Sequence, residues 1–103
     1  MTRQNTRLDP KDVQEIDVVS FDFTSVLNTG ETITSSTCTS EVYAGTDAAP
    51  SGLLLGGAQT TGTKVLQQIQ AGIAGVEYLL RCAIVTSASR TLVLSALIQV
   101  IRI

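Results

Sequence analysis

The chain contains no histidine, and that limits what its other reactive residues can do. Without an imidazole there is no Ser-His-Asp or Cys-His pairing, and most zinc sites are excluded. The run "GAQTTGTK", Gly57 to Lys64, has the outline of a phosphate-binding loop. Such a loop needs Lys directly after the second glycine, then Ser or Thr, then a helix. Here Thr63 intervenes before Lys64, and Val65 onward alternates as a strand does, so a Gly/Thr-rich hairpin is expected. The carboxylates Asp22, Glu31, Glu41, Asp47 and Glu77 are spread over separate segments. A solvent-facing place is expected for each, not an acid–base pair. Two cysteines, Cys38 and Cys82, are too few for a structural metal site or a disulfide scaffold. Both fall in strand-like segments and could face each other across a sandwich. As thiols of a cytoplasmic chain they would serve as small buried hydrophobes, with a disulfide between them as the lesser alternative. No catalytic residue, cofactor or metal is expected.

The composition points to a structural role. The 103 residues suit one domain. The hydrophobic fraction is 44% but the aromatic fraction only 4%, with no Trp, so Val, Ile, Leu and Ala must fill the core. Charged residues make up 16%, against about 25% in an average domain, and such a bland surface is often covered by a neighbour. Arg3, Arg7 and Lys11 cluster near the start and no further base precedes Lys64, which argues against nucleic-acid binding. The opening "MTRQNTRLDPKDVQEI" is polar, unlike a signal peptide, and the apolar run Leu92 to Ile103 is broken by Ser95, Gln99 and Arg102. It is too short to cross a bilayer, so a soluble protein made in the cytoplasm, with no membrane partner, is expected.

Residues 1–16 are expected to form an N-terminal extended arm and 17–103 the folded domain. Within the arm, Asp9-Pro10-Lys11-Asp12 has the form of a helix cap with Pro at the first helical position. The rest of the arm is too polar to pack by itself, so it is expected to order against a neighbour. Val19, Phe21 and Phe23 at spacing two predict a half-buried strand. Thr32 to Tyr43 is a second, Thr-rich strand, and "GTDAAPSG" a loop. One or two short strands surround Gly56-Gly57, and "TKVLQQIQ" is another, with Val65, Gln67 and Ile69 on one face. Glu77 to Ser87 and Thr91 to Arg102 close the chain as a hairpin. The pattern predicts an all-β, Ig-like antiparallel sandwich of about seven strands.

Two features stand out in this frame. In "GIAGVEYLLRCAIV", Gly72 and Gly75 precede Tyr78 at the start of a strand. Greek-key sandwiches place a Tyr there whose hydroxyl turns back onto upstream backbone, and glycines supply the positive φ of such a corner. A buried Tyr with no special role is the plainer alternative. The closing strand is apolar on both faces, with Leu92, Leu94, Ala96, Ile98 and Val100 on one and Val93, Leu97, Ile101 and Ile103 on the other. The second face, or the free edge, is expected to be covered by another subunit. With the arm residues Arg7, Asp9 and Pro10, these form the candidate interface.

The order of "DP" in the arm, "VSFDF", "GETI" at Gly30–Ile33, "AGIAGVEYLLRCAIVTS" and a closing hairpin resembles small phage virion proteins of the fibre–tail adaptor type. The likeness runs from Asp9 to about Val100. It implies an Ig-like fold and a non-catalytic subunit joining tail or neck proteins to fibres. It also implies multiple copies around a symmetric assembly, in the virion. The chain departs from the pattern at Cys38, where relatives tend to carry an aromatic residue, and at Ser89-Arg90, where they tend to carry glycine. A capsid decoration protein, or an Ig-like adhesive or carbohydrate-binding module, is the competing reading. The second would need exposed loop aromatics, and Tyr43 is almost the only candidate.

Overall fold

The computed structural model describes residues 6–103, so residues 1–5 of the expected arm lie outside the described residues. In chain order the elements are β1 (Thr6–Arg7), β2 (Lys11–Asp12), β3 (Asp17–Asp22) and β4 (Ile33–Ala44). A 3-10 turn (Pro50–Leu53) follows, then β5 (Leu54–Thr61), β6 (Lys64–Ile69), β7 (Glu77–Thr86) and β8 (Thr91–Ile101). The strands form two sheets. One has the order β1-β8-β7-β4, with β2 also on β8, and the other is β3-β6-β5.

Alternation places the core. Val19 and Phe21 of β3 and Val65 and Ile69 of β6 turn inward from the smaller sheet. Tyr78, Leu80, Cys82 and Ile84 of β7 and Leu92, Ala96, Ile98 and Val100 of β8 meet them from the larger one. Phe23 and Leu53, just outside strands, seal the ends. Gln67 shares the inner face of β6 and is buried, and its amide donates to the carbonyls of Gly56 and Gln68 at 3.1 and 2.8 Å. The Gly57–Lys64 run is a β-hairpin, with Thr61 opposite Lys64 across the Gly62-Thr63 turn. Its glycine opens no phosphate cradle and is followed by a strand.

The beginning of the chain departs from expectation. Asp9-Pro10 starts no helix. Instead Thr6–Arg7 and Lys11–Asp12 run parallel to β8, opposite Ala96–Leu97 and Val100–Ile101. Leu8 N–H donates to Leu97 O at 2.8 Å and Val13 N–H to Ile101 O at 2.9 Å. The outer edge of β8 offers a row of unpaired backbone groups, and the chain's own start satisfies them before any neighbour can. Between its two paired runs the arm uses one residue more than β8 does, at Pro10, which has no N–H to give. The turn anticipated at Asp9 falls instead at Asp12, whose carboxylate accepts Gln14 N–H while Glu15 accepts Asp12 N–H.

Lys11 holds this segment down. It is 1% exposed, and its ammonium donates to Ala71 O at 2.7 Å and Asp12 O at 2.8 Å. Ala71 (φ 49°) and Gly72 (φ 92°) both occupy the left-handed region here. Gly72 is also a close approach: a Cβ at this position would lie 2.7 Å from Val100 Cγ2 and 3.2 Å from Leu53 Cδ1. Gly75 (φ 90°) has open space around it. Gly72→Ala therefore combines backbone strain with overpacking and is expected to cost about 2–4 kcal/mol. Gly75→Ala carries the strain alone, about 1–2 kcal/mol. Thermal unfolding of both variants should show the larger loss in Tm for Gly72→Ala, and equal losses would mean the close approach is relieved elsewhere.

Candidate functional site

The expected corner is built from the loop before β7 and the loop after β4. Tyr78 is fully buried at the start of β7, with only its hydroxyl group near polar atoms. The hydroxyl accepts Ile73 N–H at 2.9 Å and donates to Asp47 Oδ2 at 2.6 Å. Burial first, and the adjacent carboxylate second, push the phenol up to about 12, so it stays a donor throughout the physiological range. Asp47 is held below the usual carboxylate range by that hydroxyl and by Ala49 N–H. It is a loop anchor, not the solvent-facing charge anticipated from its polar surroundings.

At the opposite end of β7 a second polar cluster closes the sandwich. Glu31, also expected on a solvent face, has a side chain only 3% exposed. Arg90 grips it from the β7–β8 turn: Nη2 reaches Oε1, and Nε donates to Oε2 at 2.9 Å. Asn28 N–H donates to Oε1 at 2.8 Å and the Thr86 hydroxyl to Oε2. Nη2 also donates to Val26 O at 3.1 Å. These donors hold Glu31 well down, at about 2, and the carboxylate in turn raises Arg90. Every acceptor position that faces protein is filled, so the cluster staples loop to hairpin and leaves no group poised to react.

Neither cluster holds a nucleophile with a base, and among the described residues no three metal-ligating side chains gather. Cys38 and Cys82 do not face each other across the sandwich; they are cross-strand neighbours in one sheet. An open cavity of about 310 Å³ lies at the seam between β1, β3 and β8, lined by Leu8, Phe21, Leu94 and Ala96 with Ser20, Asp22 and Ser95. Its one carboxylate, Asp22, already accepts the backbone and hydroxyl of Thr24.

A further surface is the outer face of the β1-β8-β7-β4 sheet. Cross-strand register pairs Ala83 with Val93, Leu79 with Leu97 and Arg81 with Ser95. On β8, Val93 and Ile101 are half-buried, whereas Leu97 is 6% exposed and so already buried within its own chain; Ile103, beyond the strand, is 90% exposed. Val85 continues the apolar stripe on β7 at 40% exposed. Asp9 and Pro10 are exposed beside the edge, and Arg7 is fixed there through its backbone pairing with Leu97. The structure thus brings the arm residues and the β8 residues to one edge, and the Gly72–Tyr78 corner joins them at the end of β8, through Lys11 on Ala71 O and the Gly75 and Val76 bonds to Val100. Ile103 N–H donates to Asp12 Oδ1 at 2.7 Å, which ties the end of β8 to the arm.

Two outcomes test these clusters. Tyr78→Phe leaves Ile73 N–H and the Asp47 carboxylate without their buried partner. It is expected to cost about 1–3 kcal/mol, seen as a fall in Tm of several degrees. Glu31 is depressed in the folded state, so its stabilising contribution is present above its ordinary value of 4.5 and is lost as pH falls toward about 2. Glu31→Gln should therefore lower Tm at pH 7, and the gap to the wild type should close between roughly pH 4.5 and pH 2. A gap that stays constant over that window would mean Glu31 is not the titrating partner.

No curated protein and no solved structure matches the chain significantly. One family description does match, that of the podophage GP4 fiber-tail adaptor protein gp77, over residues 11–99. The matched stretch begins at the buried Lys11, spans both sheets and both polar clusters, and ends in β8. By this match over most of its length, the chain belongs to the podophage GP4 fiber-tail adaptor family.

Proposed function

We propose that the protein is a non-catalytic adaptor of the phage virion that joins tail or neck proteins to fibres, docking through the outer face of the β1-β8-β7-β4 sheet. Family membership carries the adaptor role. The docking face is supported by the apolar stripe of Val93, Ala83, Leu79 and Val85, which no strand among the described residues covers. Multiple copies around the tail axis, each presenting this face to tail or fibre subunits, are part of the same reading. So is synthesis in the host cytoplasm before assembly.

The strand order supports an immunoglobulin-like description of the scaffold. β3-β6-β5 against β4-β7-β8 reproduces the B-E-D and C-F-G order of such domains, and Tyr78 falls near the start of the F-equivalent strand. A carbohydrate-binding role gains less support. Of the four aromatic residues only Tyr43 is exposed, so no stacking platform forms.

Val85→Lys with Val93→Lys tests the docking face. Both side chains lie outside the core, so Tm is expected to move by only a few degrees. Losing two aliphatic contacts of about 1.5–3 kcal/mol each should lower incorporation into particles at least tenfold, about 1.4 kcal/mol or more. Quantitative mass spectrometry of purified particles reads the result. Normal incorporation would remove this face as the contact, and absence of the wild-type protein from particles would remove the adaptor reading itself.

A further inference from the structure

Cys38 and Cys82 are direct partners in the β4–β7 ladder, and both are free thiols. The phase of the ladder fixes their environment. At one end of β7 and β8, Val100 N–H donates to Val76 O; at the other, Thr86 N–H donates to Arg90 O. Counted inward from either bond, the even-numbered residues of β7 turn their backbone groups toward β8. Cys82, opposite Leu94, is one of them. Toward β4 it therefore makes no backbone bond, and Cys38–Cys82 is a non-hydrogen-bonded pair. Such pairs hold their Cα atoms about 4.5 Å apart with side chains at their closest. That lies at the short end of the roughly 4.4–6.8 Å span that a disulfide bridges.

The chemistry of the two sulfurs is unequal. Cys82 is fully buried, and the adjacent Cys38 sulfur, with burial, pushes the Cys82 thiol up. The same contact holds Cys38 below its ordinary range, and Cys38 is only half-buried, on a strand at the sheet's edge. Cys38 is thus the reachable, thiolate-prone member and Cys82 the resolving one. β4 also needs a fastening. Among the described residues it has β7 on one side and no strand on the other, and its inner face is made of Ser36, Cys38, Ser40 and Val42. Cys38 and Val42 pack against the core and the Ser36 hydroxyl meets that of Thr60 on β5 at 3.0 Å, but the Ser40 hydroxyl is buried with no hydrogen-bond partner.

We infer that Cys38 and Cys82 form a reversible cross-strand disulfide that staples edge strand β4 to β7 when the protein meets a small-molecule disulfide oxidant. Cys38 thiolate attacks one sulfur of the oxidant RSSR, and RS⁻ leaves with the electron pair of the broken bond. Cys82 then loses its proton to the released thiolate and attacks the Cys38 sulfur, expelling the second RS⁻, which takes a proton from solvent. Two protein thiols are oxidised by two electrons and one RSSR is reduced to two RSH. Such a bond is kept open by a thiol-buffered cell interior and closes where a disulfide oxidant is in excess.

The test uses the full chain, first reduced with dithiothreitol and then equilibrated with glutathione buffers from reducing to oxidising. Both thiols should disappear together, with the intact mass lower by two hydrogens and the protein still monomeric on a non-reducing gel. Amide exchange across β4 should slow about tenfold, and dithiothreitol should reverse every change. Cys38→Ser should leave Cys82 reduced under the same buffers. Persistent thiols in the most oxidising buffer, a stable glutathione adduct on Cys38, or an intermolecular dimer would each overturn the proposal. A bond that forms without slowing exchange in β4 would overturn its role as a staple.

Discussion

Five parts of the chain are tied together at residues 71–78. Ala71 O receives the Lys11 ammonium, Gln70 N–H donates to Leu53 O, and Ile73 N–H meets the Tyr78 hydroxyl, which reaches on to Asp47. Gly75 N–H and Val76 O both pair with Val100. All of this depends on Gly72 packing with no side chain between Val100 and Leu53. The arm, the β4–β5 loop, the end of β6, the start of β7 and the end of β8 therefore share one anchor. A conformation open almost only to glycine, and one phenol, set the relation of the two sheets at that end.

The other end of the sandwich is closed by charge. Glu31, Arg90 and Thr86 join the β3–β4 loop to the β7–β8 turn, with each lone pair that faces protein occupied. Removing one partner from such a pair costs more than the pair contributes, because the other charge is left buried. β7 is thus pinned at Tyr78 and at Thr86, and its central stretch is held by flanking strands on both sides. The two clusters that close the sandwich leave the outer aliphatics Val85 and Val93 outside the core.

Much of this was legible from residue order. Alternation in Val19-Phe21-Phe23 and in Tyr78-Leu80-Cys82-Ile84 carries the sandwich, because period two on a buried face has few other solutions. The glycine spacing before Tyr78 pointed to a corner, although the partner Asp47 lies 31 residues away and no local pattern could select it. Glu31 and Arg90 were hidden for the same reason. Each resembles an ordinary surface charge until the fold brings positions 59 residues apart together. The arm was misjudged by composition: a polar segment lacks the apolar area to pack, but it does not lack backbone hydrogen bonds. Lys11, the residue that looks most like a solvated charge, is the one buried to anchor it. The apolar second face of β8 was visible in sequence, yet the edge that seemed to need a foreign strand is occupied by the chain itself.

The direction of that pairing has a mechanical consequence. Because β1 and β2 run parallel to β8, the leading end of the arm and the trailing end of β8 lie at opposite ends of the paired stretch. A pull applied before Thr6 and after Ile101 therefore slides the two segments past each other and loads their bonds together. In an antiparallel pair joined at one end, the same pull would open bonds one after another. The side-chain ties of Lys11 to Ala71 and of Asp12 to Ile103 lie along the same seam and share the load. Tension along the chain meets this fold in shear, where it resists most.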